Sequence, residues 1–231
     1  MVPWTAAAVR NNADWCDIVC RTHGAATTFD AVAWTSATRT PLYYPDAITL
    51  AAEVSAVDLL ARIDSSTGCS IKDSYATIDL GPFGFRVLFD AEWIVSNRPT
   101  VHRAGGERWE RLHGRDDLVA WEAARQSNGD ERGLFKPELL DNDQVTFLVS
   151  YAHGRVVAGA ILNLASGVAG ISNFFARAEA DSQAWDGCVS FARELCPEVQ
   201  LVGYESGARL RQALDSGFAA AGPLRVWVHD G

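Results

Sequence analysis

The chain has 231 residues, 48% of them hydrophobic, with a mean hydropathy near zero and a net charge of −9. This is enough apolar material for one large or two small cores, but no run approaches the roughly 18 apolar residues of a membrane helix. No block of Lys or Arg offers a phosphate backbone a basic face, which argues against nucleic acid as a partner.

In chain order, the N-terminal stretch carries Arg10 and Asp14 but no apolar signal core, and the five cysteines do not cluster. Both features fit a protein of the reducing cytosol. Asn11 and Asn12 cap a first helix whose Trp15, Ile18, Val19 and Thr22 share one face and which stops at Gly24. Residues 25–47, punctuated by Thr40-Pro41 and Tyr44-Pro45, read as extended loop. Ala47–Leu50 reads as a short strand, and Ser55 to Asp58 as a capping box opening a short helix through Ile63. Two strands follow, Ser70–Leu80 and Phe85–Val95, joined by a hairpin or bulged corner at Gly81-Pro82-Phe83-Gly84. Residues 97–115 are polar and glycine-rich, and mark a boundary between a region 1–100 and a region 101–231.

The second region begins with a helix capped by Asp116 or Asp117 and carrying Leu118 and Trp121. Three apolar runs follow, Val145–Tyr151, Arg155–Asn163 and Val168–Phe175, separated by turns at His153-Gly154 and Ser166-Gly167. Runs this short and this rich in β-branched and aromatic residues make a three-strand antiparallel meander. Trp185, Cys188, Val189, Ala192 and Cys196 then share a helical stripe, opened by Ser182 and closed by Pro197. A strand (Val199–Glu205), a helix (Ala208–Ser216) and a last strand (Leu224–Val228) complete the chain. The fold class is α/β, or α+β by segregation: a mixed sheet built on the meander, with helices on both faces.

This order, with Arg155–Ala160, Val168–Arg177 and Leu214–Val228 as its closest residues, resembles the GNAT superfamily of acetyl-CoA-dependent N-acetyltransferases. The resemblance covers slightly more than half the chain. It implies that the strand ending Asn173-Phe174-Phe175 splays from the next strand and grips a pantetheine arm, with Arg177 just beyond. It also implies a turn into the following helix that binds pyrophosphate, falling here on Ser182, Gln183 and Ala184. A helix N-terminus is an anion site by its dipole and free N–H groups. Asp181 stands where the family carries a basic residue, and Asp186 where it carries a second glycine. Ala213 occupies the position of the tyrosine that in many relatives protonates the leaving thiolate.

Tyr204 and Glu205, at the end of a strand, are the candidate catalytic pair. Alternation sends them to opposite faces, and Glu205 is the candidate general base for an amine. Asp90 and Glu92, two apart on a strand and sharing a face with Arg86, are candidates for binding the amine substrate. Cys16, Cys20 and His23 share a helical stripe, but no fourth ligand is near in sequence and no metal site is assigned. The reading is an N-acetyltransferase acting on the amine of a small molecule or peptide. Its alternative is a binding or regulatory module of the same fold that has lost acetyl-CoA. Region 1–100 reads as a degenerate half of the same fold, with Val87, Phe89, Ala91, Trp93 and Val95 packing inward.

Overall fold

The computed structural model describes residues 4–97, 108–125, 133–177 and 181–230. Five α-helices, α1 (Thr5–Thr22), α2 (Ala56–Leu60), α3 (Arg115–Arg125), α4 (Asp181–Leu195) and α5 (Gly207–Asp215), flank one mixed sheet. Its strands are β1 (Thr27–Phe29), β2 (Ala33–Ser36), β3 (Ala47–Thr49), β4 (Ser70–Asp73), β5 (Phe85–Ser96), β6 (Trp109–Arg111), β7 (Val145–Ala152), β8 (Arg155–Ala165), β9 (Val168–Ala176), β10 (Gln200–Glu205) and β11 (Phe218–His229). Their order is β1-β2-β3-β4-β11-β5-β10-β9-β8-β7-β6.

The meander forms as its turn residues require. His153-Gly154 and Ser166-Gly167 all take positive φ, closing tight hairpins between β7, β8 and β9. One face of the sheet is covered by α1 and α3, with Trp15, Trp121, Phe135 and Phe147 in one buried cluster. The other face is covered by α4 and α5, with Trp185, Cys188, Val189, Ala213 and Phe218 in another.

Strands from either side of residue 100 interleave. β5 lies between β11 and β10, and β11 lies between β5 and β4. Two strand–helix–strand units with parallel pairing, β3-α2-β4 and β9-α4-β10, stand on either side of this central pair. Each unit thus borrows a neighbour from the opposite end of the chain.

Five local expectations are corrected. The first helix starts at Thr5, because Ala8 and Val9 extend its buried face; Asn11 and Asn12 are buried inside it and do not cap it. Residues 25–47 contain the β1–β2 hairpin, paired Thr27↔Ser36 to Phe29↔Trp34. Gly81–Phe83 is a 3-10 turn, and β4 and β5 are not neighbours, since β11 runs between them. The last strand is twelve residues long, because a bulge between Ala220 and Gly222 absorbs the Gly222-Pro223 interruption. On β5, Ala91, Trp93 and Val95 are buried as expected, but Val87 and Phe89 are exposed. β10 ends opposite Glu92, so the first half of β5 lacks a neighbour along that edge.

Candidate functional site

β9 and β10 run parallel for only three pairs, from Val168↔Gln200 to Gly170↔Val202. Beyond that point β9 continues to Ala176 and β10 to Glu205 without pairing, which makes a fork. The hinge of the fork is tight: a Cβ on Gly203 would lie 2.9 Å from the Ile171 carbonyl oxygen. Glycine is therefore the residue that lets the two backbones meet there. On the outer limb of the fork, β9 changes register against β8 between Ser172 and Phe175, and Asn173 takes a left-handed φ of 52°. The bulge throws Phe174 and Phe175 to opposite faces. Phe174 meets Trp185 at 5.1 Å between ring centroids, and Phe175 meets Trp121 at 5.0 Å.

The equivalent point in the first unit is stitched shut. The Ser74 N–H donates to Thr49 Oγ1 at 2.8 Å, and Thr77 Oγ1 donates to the Ala52 carbonyl at 2.6 Å. The Tyr75 hydroxyl donates to the Leu50 carbonyl at 3.3 Å. Past the last β9–β10 pair, no such bridging hydrogen bond joins the two strands among the described residues.

Two candidate residues end β10, opposite Trp93 and Glu92 of β5. Tyr204 packs edge-on to Trp93 on the α1 face, at 5.5 Å between centroids. Glu205 therefore lies on the α4/α5 face. Burial pushes its carboxyl up to about 7, against the opposing pull of the Arg209 guanidinium. Arg209 also stacks over the Phe174 ring at 4.9 Å. Glu205, Arg209 and Phe174 are thus brought together on one face.

Asp90 and Glu92 part company. Asp90 is exposed and accepts from Arg225 Nε at 2.7 Å, so its charge is matched. Glu92 stands directly across from Glu205. At the start of α4, Gln183 is exposed and Ala184 is buried, while the side chains of Asp181 and Ser182 lie outside the described residues. Asp186 is turned toward α5, where its carboxylate accepts from Ser216 Oγ at 2.6 Å. Arg177 is exposed, and its N–H donates to the Val157 carbonyl at 2.8 Å.

Cys16 and Cys20 are buried, and burial raises both thiols. His23 Nε2 lies 2.7 Å from the Leu134 carbonyl oxygen. Among the described residues no group of three metal-ligating side chains forms. No helix among them is long and apolar enough to cross a membrane. A shallow depression lined by Arg111, His113 and Phe147 sits at the β6–β7 edge, separated from β10 by β8 and β9, and contains none of these candidates.

Sequence reasoning missed Lys72. It is 4% exposed on β4, and its Nζ donates to Asn12 Oδ1 at 2.7 Å and to the Tyr204 hydroxyl at 3.3 Å. A lone lysine in a short strand was the only signal, and the strand order needed to interpret it is not legible in sequence.

No family profile and no curated protein sequence matches the chain. Solved structures do. A GCN5-related N-acetyltransferase from Kribbella flavida superposes with a TM-score of 0.66 at 12% identity, covering 97% of this chain and 96% of its own. A protein from Novosphingobium aromaticivorans assigned to the GNAT family gives 0.61 at 14%, covering 96% and 99%. A conserved protein of unknown function from Staphylococcus epidermidis gives 0.65 at 13%, covering 88% and 93%. With the forked parallel pair and the antiparallel meander, these likenesses show that the chain has the GNAT superfamily fold.

Proposed function

We propose that the protein is a cytoplasmic N-acyltransferase that moves an acetyl group from acetyl-CoA to the amine of a small molecule or peptide. The observation that carries this reading is the open β9/β10 fork, where Asn173 bulges and unpaired backbone remains to receive a pantetheine arm. The residues present fit that arm. Its stem would run along Asn173–Phe175, and its phosphates would approach the first turn of α4 at Ser182, Gln183 and Ala184. When bound, acetyl-CoA supplies an activated acyl carbon. Glu205 takes the proton of the incoming amine: a carboxyl titrating near 7 is half-ionised at neutral pH and basic enough to accept it. Glu92, opposite Glu205, adds negative charge that draws a cationic amine to this end of the strand.

One feature of the sequence favours the alternative, a binding or regulatory module without catalysis: Asp181 is the first residue of α4, where an acidic residue type is unfavourable for a pyrophosphate. Asp186 weighs less, because its carboxylate is drawn to Ser216.

Incubating the protein with acetyl-CoA and a panel of amino acids, polyamines and short peptides, with release of CoA thiol as the signal, tests the reading. Thiol release dependent on an amine and abolished by Glu205→Gln supports it. Saturable acetyl-CoA binding with no transfer to any amine favours the alternative.

A further inference from the structure

β10 ends at Glu205, opposite Glu92, while the strands on either side of it run on. Beyond Glu205 the sheet therefore has a gap, with β9 along one side and β5 along the other. The β9 side is the limb proposed above to hold the pantetheine arm. The β5 side is paired with β11 along its opposite edge only. Among the described residues, the backbone of Arg86–Ala91 makes no hydrogen bond outside that ladder. Free strand edges are ordinarily covered or blunted, because their N–H and C=O groups template another strand. This one is uncovered: Val87, Leu88 and Phe89 are 37%, 49% and 38% exposed. At its far end Leu88 is the extra residue of a bulge, since Phe89 pairs with Val226 and Val87 with Trp227. The bulge ends the regular edge there. What remains is Phe89–Ala91, a stretch that suits a short chain end and is too brief to pair two copies of the protein.

We infer that this edge is the acceptor site, and that the acceptor is the free N-terminus of a peptide lying extended against Phe89–Ala91 as a continuation of β10. This rests on the transferase reading above. Such a peptide runs antiparallel to β5, as β10 does, so its first residue lies beside Glu205 and Glu92 and its chain leads away toward Phe89. The two carboxylates meet the peptide where it carries its ammonium. Main-chain hydrogen bonds to β5 supply the hold, and alternate side chains supply selectivity. The residue that falls beside the exposed ring of Phe89 is apolar. Donor and acceptor thus take the two edges of one gap and meet at its closed end. Proton chemistry selects the same amine. An α-ammonium titrates near about 8 and a lysine ε-ammonium near about 10.4, so a carboxylate such as Glu205 deprotonates the first far more readily than the second. Glu205 passes that proton to solvent, and the freed nitrogen bonds to the acyl carbon. The C–S bond breaks with its electron pair on sulfur, and the second proton leaving nitrogen ends on the thiol.

The test uses full-length protein, acetyl-CoA and a mixed library of short peptides with free N-termini, read by release of CoA thiol and by mass spectrometry of the products. The expected products carry acetyl on the α-nitrogen. Peptides are turned over in preference to free amino acids, polyamines and N-blocked peptides that contain lysine. The best peptide is then remade with a single backbone N-methyl group at each internal residue in turn. A methyl on an N–H that faces β5 is expected to raise KM by about tenfold or more, and one on the next N–H, which points away, to leave it unchanged. Phe89→Asp is expected to raise KM for the same peptide by about fivefold with kcat unchanged. Acetylation confined to polyamines, free amino acids or lysine side chains overturns the inference and leaves the transferase reading standing. An N-methyl scan without alternation also overturns it. So does a dimer, seen by sedimentation at the assay concentration, that Phe89→Asp dissolves, because the edge is then occupied by a second copy. If no amine releases CoA thiol, the transferase reading falls, and this inference with it.

Discussion

Glu205 at the end of β10 and Glu92 on β5 face each other directly across an antiparallel ladder, with side chains on the same side of the sheet. Burial raises the Glu205 carboxyl to about 7, against the pull of the Arg209 guanidinium. The base is therefore set by its surroundings. Glu205→Gln is expected to lower turnover by about 100-fold or more and to leave acetyl-CoA affinity within about twofold. In the wild type, kcat rises with pH through about 7, as Glu205 loses its proton. An unchanged rate in the variant, once an acceptor is in hand, assigns the base elsewhere.

The same carboxyl affects stability. Its folded-state value, about 7, lies above the ordinary 4.5, so the folded protein binds the proton more tightly than the unfolded chain. Stability from this group is therefore full below about pH 4.5 and is lost as pH rises toward 7. Glu205→Gln has no such loss. Its Tm relative to wild type is expected to be higher at pH 8 than at pH 4, and thermal melts at the two values check this. A difference that does not change with pH contradicts the burial of Glu205.

Asn11 clasps the base of the β8–β9 hairpin. Its side-chain amide donates to the carbonyls of Asn163, Ala165 and Val168 at 3.1–3.2 Å, and Asn163 Nδ2 returns a bond to the Asn11 carbonyl. Gly170 is the space this clasp needs, since a Cβ there would lie 2.0 Å from Asn11 Oδ1. Asn11→Ala is expected to cost about 1–3 kcal/mol by leaving buried carbonyls unpaired. Chemical denaturation measures it, and Gly170→Ala is expected to destabilise as well.

How much of this was legible in the sequence depended on whether the signal was local. The meander's strands and turns were readable to within two residues, because Gly154 and Gly167 punctuate long β-rich runs. Ser55 caps α2 as its spacing requires, its Oγ accepting from the Asp58 N–H. The β1–β2 hairpin was not readable, since strands of three and four residues carry almost no period. The full length of β11 was hidden by Gly222-Pro223, which reads as a break until a bulge is allowed. Of the site, Tyr204 and Glu205 were readable as a strand-end pair. Lys72 and Asn12 were not, because their side chains meet Tyr204 and each other only through the strand order β4-β11-β5-β10 and the packing of α1 on that face.

The interleaving of β5 between β10 and β11 makes a prediction about truncation. A fragment of residues 101–231 keeps both outer strands but loses the one that joins them, along with α1 and Lys72. Such a fragment is expected to be poorly soluble and to melt without a cooperative transition, as followed by circular dichroism. A soluble fragment that melts cooperatively with unchanged stability would show instead that the two regions are independent domains.

The most direct test of the account is a calorimetric titration of the full-length protein with acetyl-CoA at low salt, paired with Asp181→Arg. The fork and the α4 N-terminus predict saturable one-to-one binding that CoA competes away. Replacing the carboxylate at the start of α4 by a cation is expected to tighten it by about five- to tenfold, less at high salt. No binding by either protein at millimolar acetyl-CoA would contradict the claim that this fork holds an acyl donor.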